Sequence, residues 1–162
     1  MPDPIGETFF WKDRIIDAKD RGLLRYSVYN TSANDWDYLC SVHRKICEHY
    51  IPKDAKVLDV GCGYGRLSEW FGYYSGIDFS PEFIAEAKRL YPGKEFIVGD
   101  IKDMPYTDKE FDWAICISIK GMVIRELGDV QWLKMEKEIK RVAKNILLLE
   151  YSSPSEFDAI QT

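Results

Sequence analysis

Short hydrophobic runs alternate with segments of helical periodicity from residue 55 onward. The runs predict five strands, over 56–60, 75–77, 95–98, 111–117 and 145–150. The intervening polar and apolar spacing predicts helices over 65–71, 80–91 and 129–144, and an earlier helix from Asn34 or Asp35 to about Tyr50. In the 129–144 helix, Leu133, Ile139 and Val142 are expected to face inward. Ser80 and Pro81 occupy the cap and first position of the 80–91 helix, where these residue types are favoured.

This alternation predicts an α/β fold, because successive strands separated by helices pair in parallel through right-handed crossovers. We expect a doubly wound parallel sheet. Ligands of such sheets bind beyond the carboxyl ends of the strands, at the point where the strand order reverses. The first strand ends at that point.

The size and charge of the chain limit the number of domains and the kinds of partner that we expect. With 162 residues, 46% of them hydrophobic, it can bury one core. We expect a single domain over 1–162, with an N-terminal arm and helix over 1–54, a ligand-binding core over 55–150 and a tail over 151–162. A net charge of -5 disfavours nucleic acid as a partner. No apolar run is long enough for a membrane span, and the N-terminus does not resemble a secretion signal, so a cytoplasmic location is expected.

The cysteines and histidines give little support for a metal site. His43 and Cys47 lie four residues apart on a predicted helix, but no third or fourth ligand follows a metal-binding spacing. We therefore expect no metal, and reduced thiols.

Three glycines at alternate positions, Gly61, Gly63 and Gly65, follow the first strand directly. The dinucleotide fingerprint G-x-G-x-x-G requires its last glycine at the position of Arg66, so the third glycine comes one residue early. Asp59, two residues before the first glycine, would repel a pyrophosphate and attract an ammonium group. These residues suggest a ligand with a cationic amino-acid end and a ribose, and without phosphate.

Two further acids end the next two strands. Asp78 can accept hydrogen bonds from both hydroxyls of a ribose, the alternative being a cap for the following helix. Asp100 can accept from an exocyclic amine such as adenine N6, with Ile101 packed on the ring. The alternative for Asp100 is an acid in a solvent-facing loop.

Together these motifs resemble the class I S-adenosylmethionine-dependent methyltransferases, over residues 55–150. The segments that carry the resemblance are 59–65, 76–80, 99–101 and the connection 104–112. The resemblance implies S-adenosylmethionine as cofactor and methyl transfer to an acceptor, with small molecules slightly favoured. It implies that the cofactor is held by Asp59, Gly61, Cys62, Gly63, Gly65, Asp78, Phe79, Asp100, Ile101, Ile117 and Ser118. No catalytic residue is identified, since orientation supplies much of the rate of such a transfer.

Two departures from the family pattern affect the prediction. The family usually adds an antiparallel strand pair after the fifth strand, and 151–162 is too short for one. The resemblance therefore implies a Rossmann-like parallel sheet of five strands in the order 3-2-1-4-5. The fifth strand would then be an apolar edge, which favours either pairing of two copies of the chain as a homodimer or contact with another partner. The exit of the fourth strand, 117–120, also lacks the Asn/Asp-Pro-Pro-aromatic motif of many methyltransferases that act on amino groups of bases and glutamine.

The aromatic N-terminal arm is the other candidate part of the site. Tyr26 and Tyr29 are expected either at the cofactor pocket or as a simple cover for the sheet. Two competing functions stay open: a cofactor-binding module without turnover in a larger assembly, and a nicotinamide oxidoreductase, which Asp59 and Arg66 oppose.

Overall fold

The computed structural model describes residues 33–150, which divide between two units. The first of the described helices is α1 (Ala33–Tyr50), and its residues up to Cys47 belong to one unit. The other unit, called the sheet unit here, comprises Glu48–Glu150. The helix predicted up to about Tyr50 is confirmed. The predicted arm, up to residue 32, and the predicted tail, 151–162, lie outside the described residues, and a single domain over 1–162 stays a prediction.

The sheet unit contains five parallel strands in the order β3-β2-β1-β4-β5, as predicted. The strands are β1 (Lys56–Val60), β2 (Tyr73–Asp78), β3 (Glu95–Val98), β4 (Phe111–Ile117) and β5 (Ala143–Leu149). The helices of this unit are α2 (Pro81–Leu90), α3 (Lys120–Leu127) and α4 (Asp129–Val142). The strand order therefore reverses between β1 and β4, at the centre of the sheet.

One hydrophobic core lies between the sheet and α4. The two central strands bury Leu58, Val60, Ala114 and Cys116 in it. α4 contributes a stripe at intervals of three and four residues, Trp132, Met135, Ile139 and Val142. The prediction that Leu133 faces inward is wrong, since its side chain is 59% exposed. Leu133 lies one residue outside the stripe that the helix buries.

The predicted helix over 65–71 is also wrong. The segment after the glycines forms one short 3-10 helix, Ser68–Trp70, and Phe71 is already extended with φ -127° and ψ 142°. Gly65 has φ +83°, which an α-helix does not accommodate, and β2 begins at Tyr73. The connection between β1 and β2 therefore contains no α-helix, and its first part, the glycine loop of residues 61–65, lies at the carboxyl end of β1.

The other helix starts differ in how they are capped. Ser80 caps α2 as predicted, because its Oγ accepts from the Phe83 amide at 3.2 Å. α3 was not predicted and has no side-chain cap of its own. The Glu150 carboxylate, beyond β5, instead accepts from the amides of Lys120 at 2.9 Å and Gly121 at 3.1 Å.

β5 is the last strand of the described sheet on one side, and Leu148 on it is 37% exposed. The pairing of two copies at this edge stays a prediction. Within 33–150, no helix combines the length and apolar character that crossing a bilayer requires.

Candidate functional site

The candidate site lies at the carboxyl edge of the sheet, where the loops after β1 and β4 meet. Gly61 follows β1, and Ile119 follows β4. A Cβ built on Gly61 would lie 2.5 Å from Cδ1 of Ile119. A side chain at Gly61 would displace Ile119, and the φ of +73° at Gly61 also favours glycine, so Ile119 packs closely on the loop after β1 at the reversal point. The sequence did not indicate that Ile119 reaches the glycine loop.

The glycine loop has a left-handed backbone at each of its three glycines. Their φ angles are +73° at Gly61, +55° at Gly63 and +83° at Gly65, values that side chains rarely allow. The amides of Gly61 and Cys62 both donate to the carbonyl of Ile77, at 2.9 and 3.0 Å. The loop is therefore fastened to the end of β2, and Cys62 is buried within it.

Asp78 joins the end of β2 to this loop. Its Oδ2 accepts from the Gly63 amide at 2.9 Å, and its Oδ1 accepts from the Ser80 amide at 2.9 Å. Burial raises the pKa of Asp78 to about 6, against the lowering effect of these amides. Each carboxylate oxygen has capacity for more than one donor, so Asp78 can also receive hydroxyl groups of a ligand.

Asp59 is the second buried carboxylate of the site. It is 3% exposed, and its Oδ2 accepts from the hydroxyl of Tyr74 at 2.8 Å. Burial raises the pKa of Asp59 to about 6, while the Tyr74 hydrogen bond and the charge of Arg66 lower it and the charge of Asp78 raises it. Tyr74 was not predicted, because pairing between neighbouring strands is needed to place it.

The residues after β3 flank the same edge. The Gly99 amide donates to the Asp78 carbonyl at 2.9 Å, so Asp100 follows next to the end of β2. Asp100 is exposed, and its Oδ1 accepts from the Lys102 amide at 2.8 Å. Ile101 is 7% exposed and belongs to the hydrophobic core, whereas Phe79 after β2 is half-buried. The adenine-facing roles of these residues stay predictions.

The end of β4 contributes a strained residue. Ser118 is exposed and has φ +57°, in the left-handed region that is uncommon for residues other than glycine. Its amide donates to the Leu149 carbonyl at 2.8 Å, which holds it beside β5. Ile117 before it is half-buried. Tyr26 and Tyr29, the predicted arm residues of the site, lie outside the described residues.

The chemistry of these donors suits a cationic ligand with hydroxyl groups. Two buried carboxylates, Asp59 and Asp78, flank the glycine loop, and a phosphate placed there would be repelled by both. An ammonium group would gain most from them, because charges interact strongly where water is excluded. No group of three or more potential metal ligands occurs within 33–150.

Comparison with known proteins finds methyltransferases among the matches. The family model described as "Methyltransferase domain" matches residues 58–146. A phosphatidylethanolamine N-methyltransferase of Cereibacter sphaeroides is 27% identical over 67% of this chain and 57% of its own length. A demethylmenaquinone methyltransferase of Chlorobaculum tepidum is 32% identical over 57% of this chain and 38% of its own length.

Solved structures agree with this similarity. A crystal structure of S-adenosylmethionine-dependent methyltransferases from Methanosarcina mazei matches with a TM-score of 0.58 and 25% identity, over 72% of this chain and 61% of that one. The chain thus spans about two-fifths to three-fifths of the length of these relatives.

Proposed function

The chain belongs to the methyltransferase domain family, of the class I S-adenosylmethionine-dependent type, and we propose that it transfers a methyl group from S-adenosylmethionine to a small molecule. The observation that carries this proposal is the pair of buried carboxylates, Asp59 and Asp78, on either side of the glycine loop. Their charge and position support a donor that has an ammonium group and a ribose.

Each residue of the site has a proposed part in holding the donor. Asp59 receives the ammonium group of the methionyl end, directly or through water. Asp78 receives the ribose hydroxyls while it keeps the Gly63 amide in place. Gly61, Gly63 and Gly65 shape the left-handed backbone turn against which the donor lies, and the space beside Gly61 and Gly65 is filled by Ile119 and Phe96. The remaining contacts are proposed for Cys62, Phe79, Asp100, Ile101, Ile117 and Ser118, and for Tyr26 and Tyr29 of the arm.

When bound, S-adenosylmethionine supplies a methyl group on a cationic sulfur that leaves as a neutral thioether. The chain's own residues orient the donor and exclude water around it, and orientation of this kind accounts for much of the rate of a displacement. The meeting of Gly61 with Ile119 closes the site between β1 and β4 on the protein side. Ser118, which precedes Ile119, is exposed, and we propose that the acceptor enters the site next to it.

Two observations favour a small-molecule acceptor. The two curated relatives are named for phosphatidylethanolamine and demethylmenaquinone, which are small molecules. The net charge of -5 opposes the non-specific attraction to phosphates on which nucleic-acid binding depends. The identity of the acceptor is open within this class.

Transfer of a radiolabelled methyl group from S-adenosylmethionine into a cell extract tests this function. We expect label in the small-molecule fraction, and its loss with Asp78→Asn. Label in the protein or nucleic-acid fraction would contradict the proposal that the acceptor is a small molecule. Binding of the donor with no label in any fraction would show a module without turnover.

A further inference from the structure

The buried hydroxyl of Tyr74 forms a hydrogen bond with the carboxylate of Asp59. The Tyr74 Oη donates to Asp59 Oδ2 at 2.8 Å, and both residues are nearly inaccessible, at 6% and 3% exposed. A hydrogen bond to an ionised carboxylate is about twice as strong as one between neutral groups. The bond therefore holds the carboxylate in one orientation directly before the glycine loop.

Strand pairing explains how Tyr74 reaches Asp59. Asp59 pairs with Gly76, and Tyr74 pairs with Val57, so Tyr74 lies two residues back along β2 on the same face of the sheet. A long side chain can span such a diagonal. Gly76 lies beside this diagonal. A Cβ at Gly76 would lie 2.8 Å from the Cys62 sulfur, so a larger residue at position 76 would displace the Cys62 side chain.

The ring of Tyr74 is itself held from the next strand. Tyr74 and Phe96 meet edge to face, with ring centroids 5.7 Å apart at 64°. Phe96 in turn pairs with Gly76 across β2 and β3. The hydroxyl is thus aimed by a packed ring, which loses little freedom when the bond forms.

Several titratable groups act on the Asp59 carboxyl from the elements around it. Tyr74 and Arg66 lower its pKa, and Asp78 raises it. Two thiols also lie within electrostatic range, Cys62 in the glycine loop and Cys116 on β4. Burial raises the pKa of both thiols, so they stay neutral and are not competing anions at neutral pH.

We infer that Tyr74 is a positioning residue for recognition of the methyl donor, because its hydroxyl fixes the ionised Asp59 carboxylate where the ammonium group of the donor binds. This inference rests on the proposed function. Tyr74 does not contact the donor in this role. It acts through Asp59, and its removal should change how donor binding depends on pH.

Calorimetric titration with S-adenosylhomocysteine, which retains the ammonium group, tests the inference between about pH 5 and pH 8. We expect Tyr74→Phe to bind about tenfold more weakly at pH 7, since a hydrogen bond to a charged group is lost. Its affinity should also begin to fall at a higher pH on acidification than in the wild type. Tyr73→Phe is the matched control, because Tyr73 is the neighbouring residue, 65% exposed, and should leave the profile unchanged.

The same titration in an Asp59→Asn background separates positioning from a merely structural role. If Tyr74 acts through the Asp59 charge, adding Tyr74→Phe to Asp59→Asn should produce no further shift of the pH profile. If the wild type binds S-adenosylhomocysteine and Tyr74→Phe has the same pH profile of affinity, the inference about Tyr74 is wrong and the proposed function stands. A wild type that binds neither S-adenosylhomocysteine nor S-adenosylmethionine would overturn the proposed function, and the inference with it.

Discussion

The ring of Phe96 occupies the space that a side chain at Gly65 would need. A Cβ on Gly65 would lie 2.6 Å from both Cε1 and Cζ of Phe96, and 3.3 Å from the ring of Tyr91. Phe96 is 3% exposed on β3, so it has little room to move. The third glycine of the loop, the one that departs from the dinucleotide fingerprint, is therefore matched to an aromatic ring two strands away from β1.

Gly65→Ala tests this match. The substitution meets Phe96 and also requires an alanine at φ +83°, so we expect a loss of about 2–4 kcal/mol in unfolding free energy. Urea denaturation measures it. Gly72→Ala is the control, because no atom lies within 4 Å of a Cβ at Gly72. Equal stability of the two variants would contradict the match.

The two buried carboxylates make the stability of the chain depend on pH. The pKa of Asp59 rises from 3.8 to about 6 in the folded protein, so the folded state keeps a proton that the unfolded state releases. Stability therefore falls as pH rises from about 4 to about 6, and the deficit persists at neutral pH. We expect Asp59→Asn to raise the unfolding free energy at pH 7 by about 1–3 kcal/mol, with no gain near pH 4.

Asp112 supplies a control of opposite sign. Its pKa is lowered by hydrogen bonds from Lys144 and the Lys56 amide, so its ionised form stabilises the fold. Asp112→Asn should be neutral or destabilising at pH 7. Urea unfolding at about pH 4 and pH 7 measures the unfolding free energy of the wild type, Asp59→Asn and Asp112→Asn. A lower unfolding free energy for Asp59→Asn than for the wild type at pH 7 would show that ionised Asp59 does not destabilise the fold.

Glu150 stabilises the start of α3 from a distance in sequence. It accepts from the amides of Lys120 and Gly121, two of the donors that a helix start leaves without an intrahelical partner. We expect Glu150→Ala to lower the unfolding free energy by about 1 kcal/mol, as loss of a helix cap does. Glu126→Ala is the comparison, since its ion pair with Arg125 is exposed and should contribute little. A larger effect at Glu126 would argue against the capping role.

The strands could be predicted closely, because each is a short apolar run between polar residues. β1, β3 and β4 have the predicted bounds, and β2 and β5 begin two residues before their predicted starts. The order 3-2-1-4-5, which the family resemblance implied, is confirmed. The glycine loop and the acids after β1 and β2 could be located for the same reason, since strand ends place them at one edge. These parts depend on local pattern.

The parts that could not be predicted depend on contacts between distant residues. α3 has its cap on Glu150, 30 residues away, so no local signal marks its start. The bond from Tyr74 to Asp59 needs the register of β1 against β2. The contact of Ile119 with Gly61 needs the packing of two loops. Leu133 was misplaced because one residue shifts a helix position by about 100°.

Binding of S-adenosylhomocysteine to the purified chain at neutral pH is the most direct test of the proposed function. We expect calorimetric binding at one site per chain, weakened by Asp78→Asn, and no binding of NAD. Binding of NAD in preference to S-adenosylhomocysteine, or an affinity unaffected by Asp78→Asn, would contradict the assignment of this glycine loop to a methyl donor.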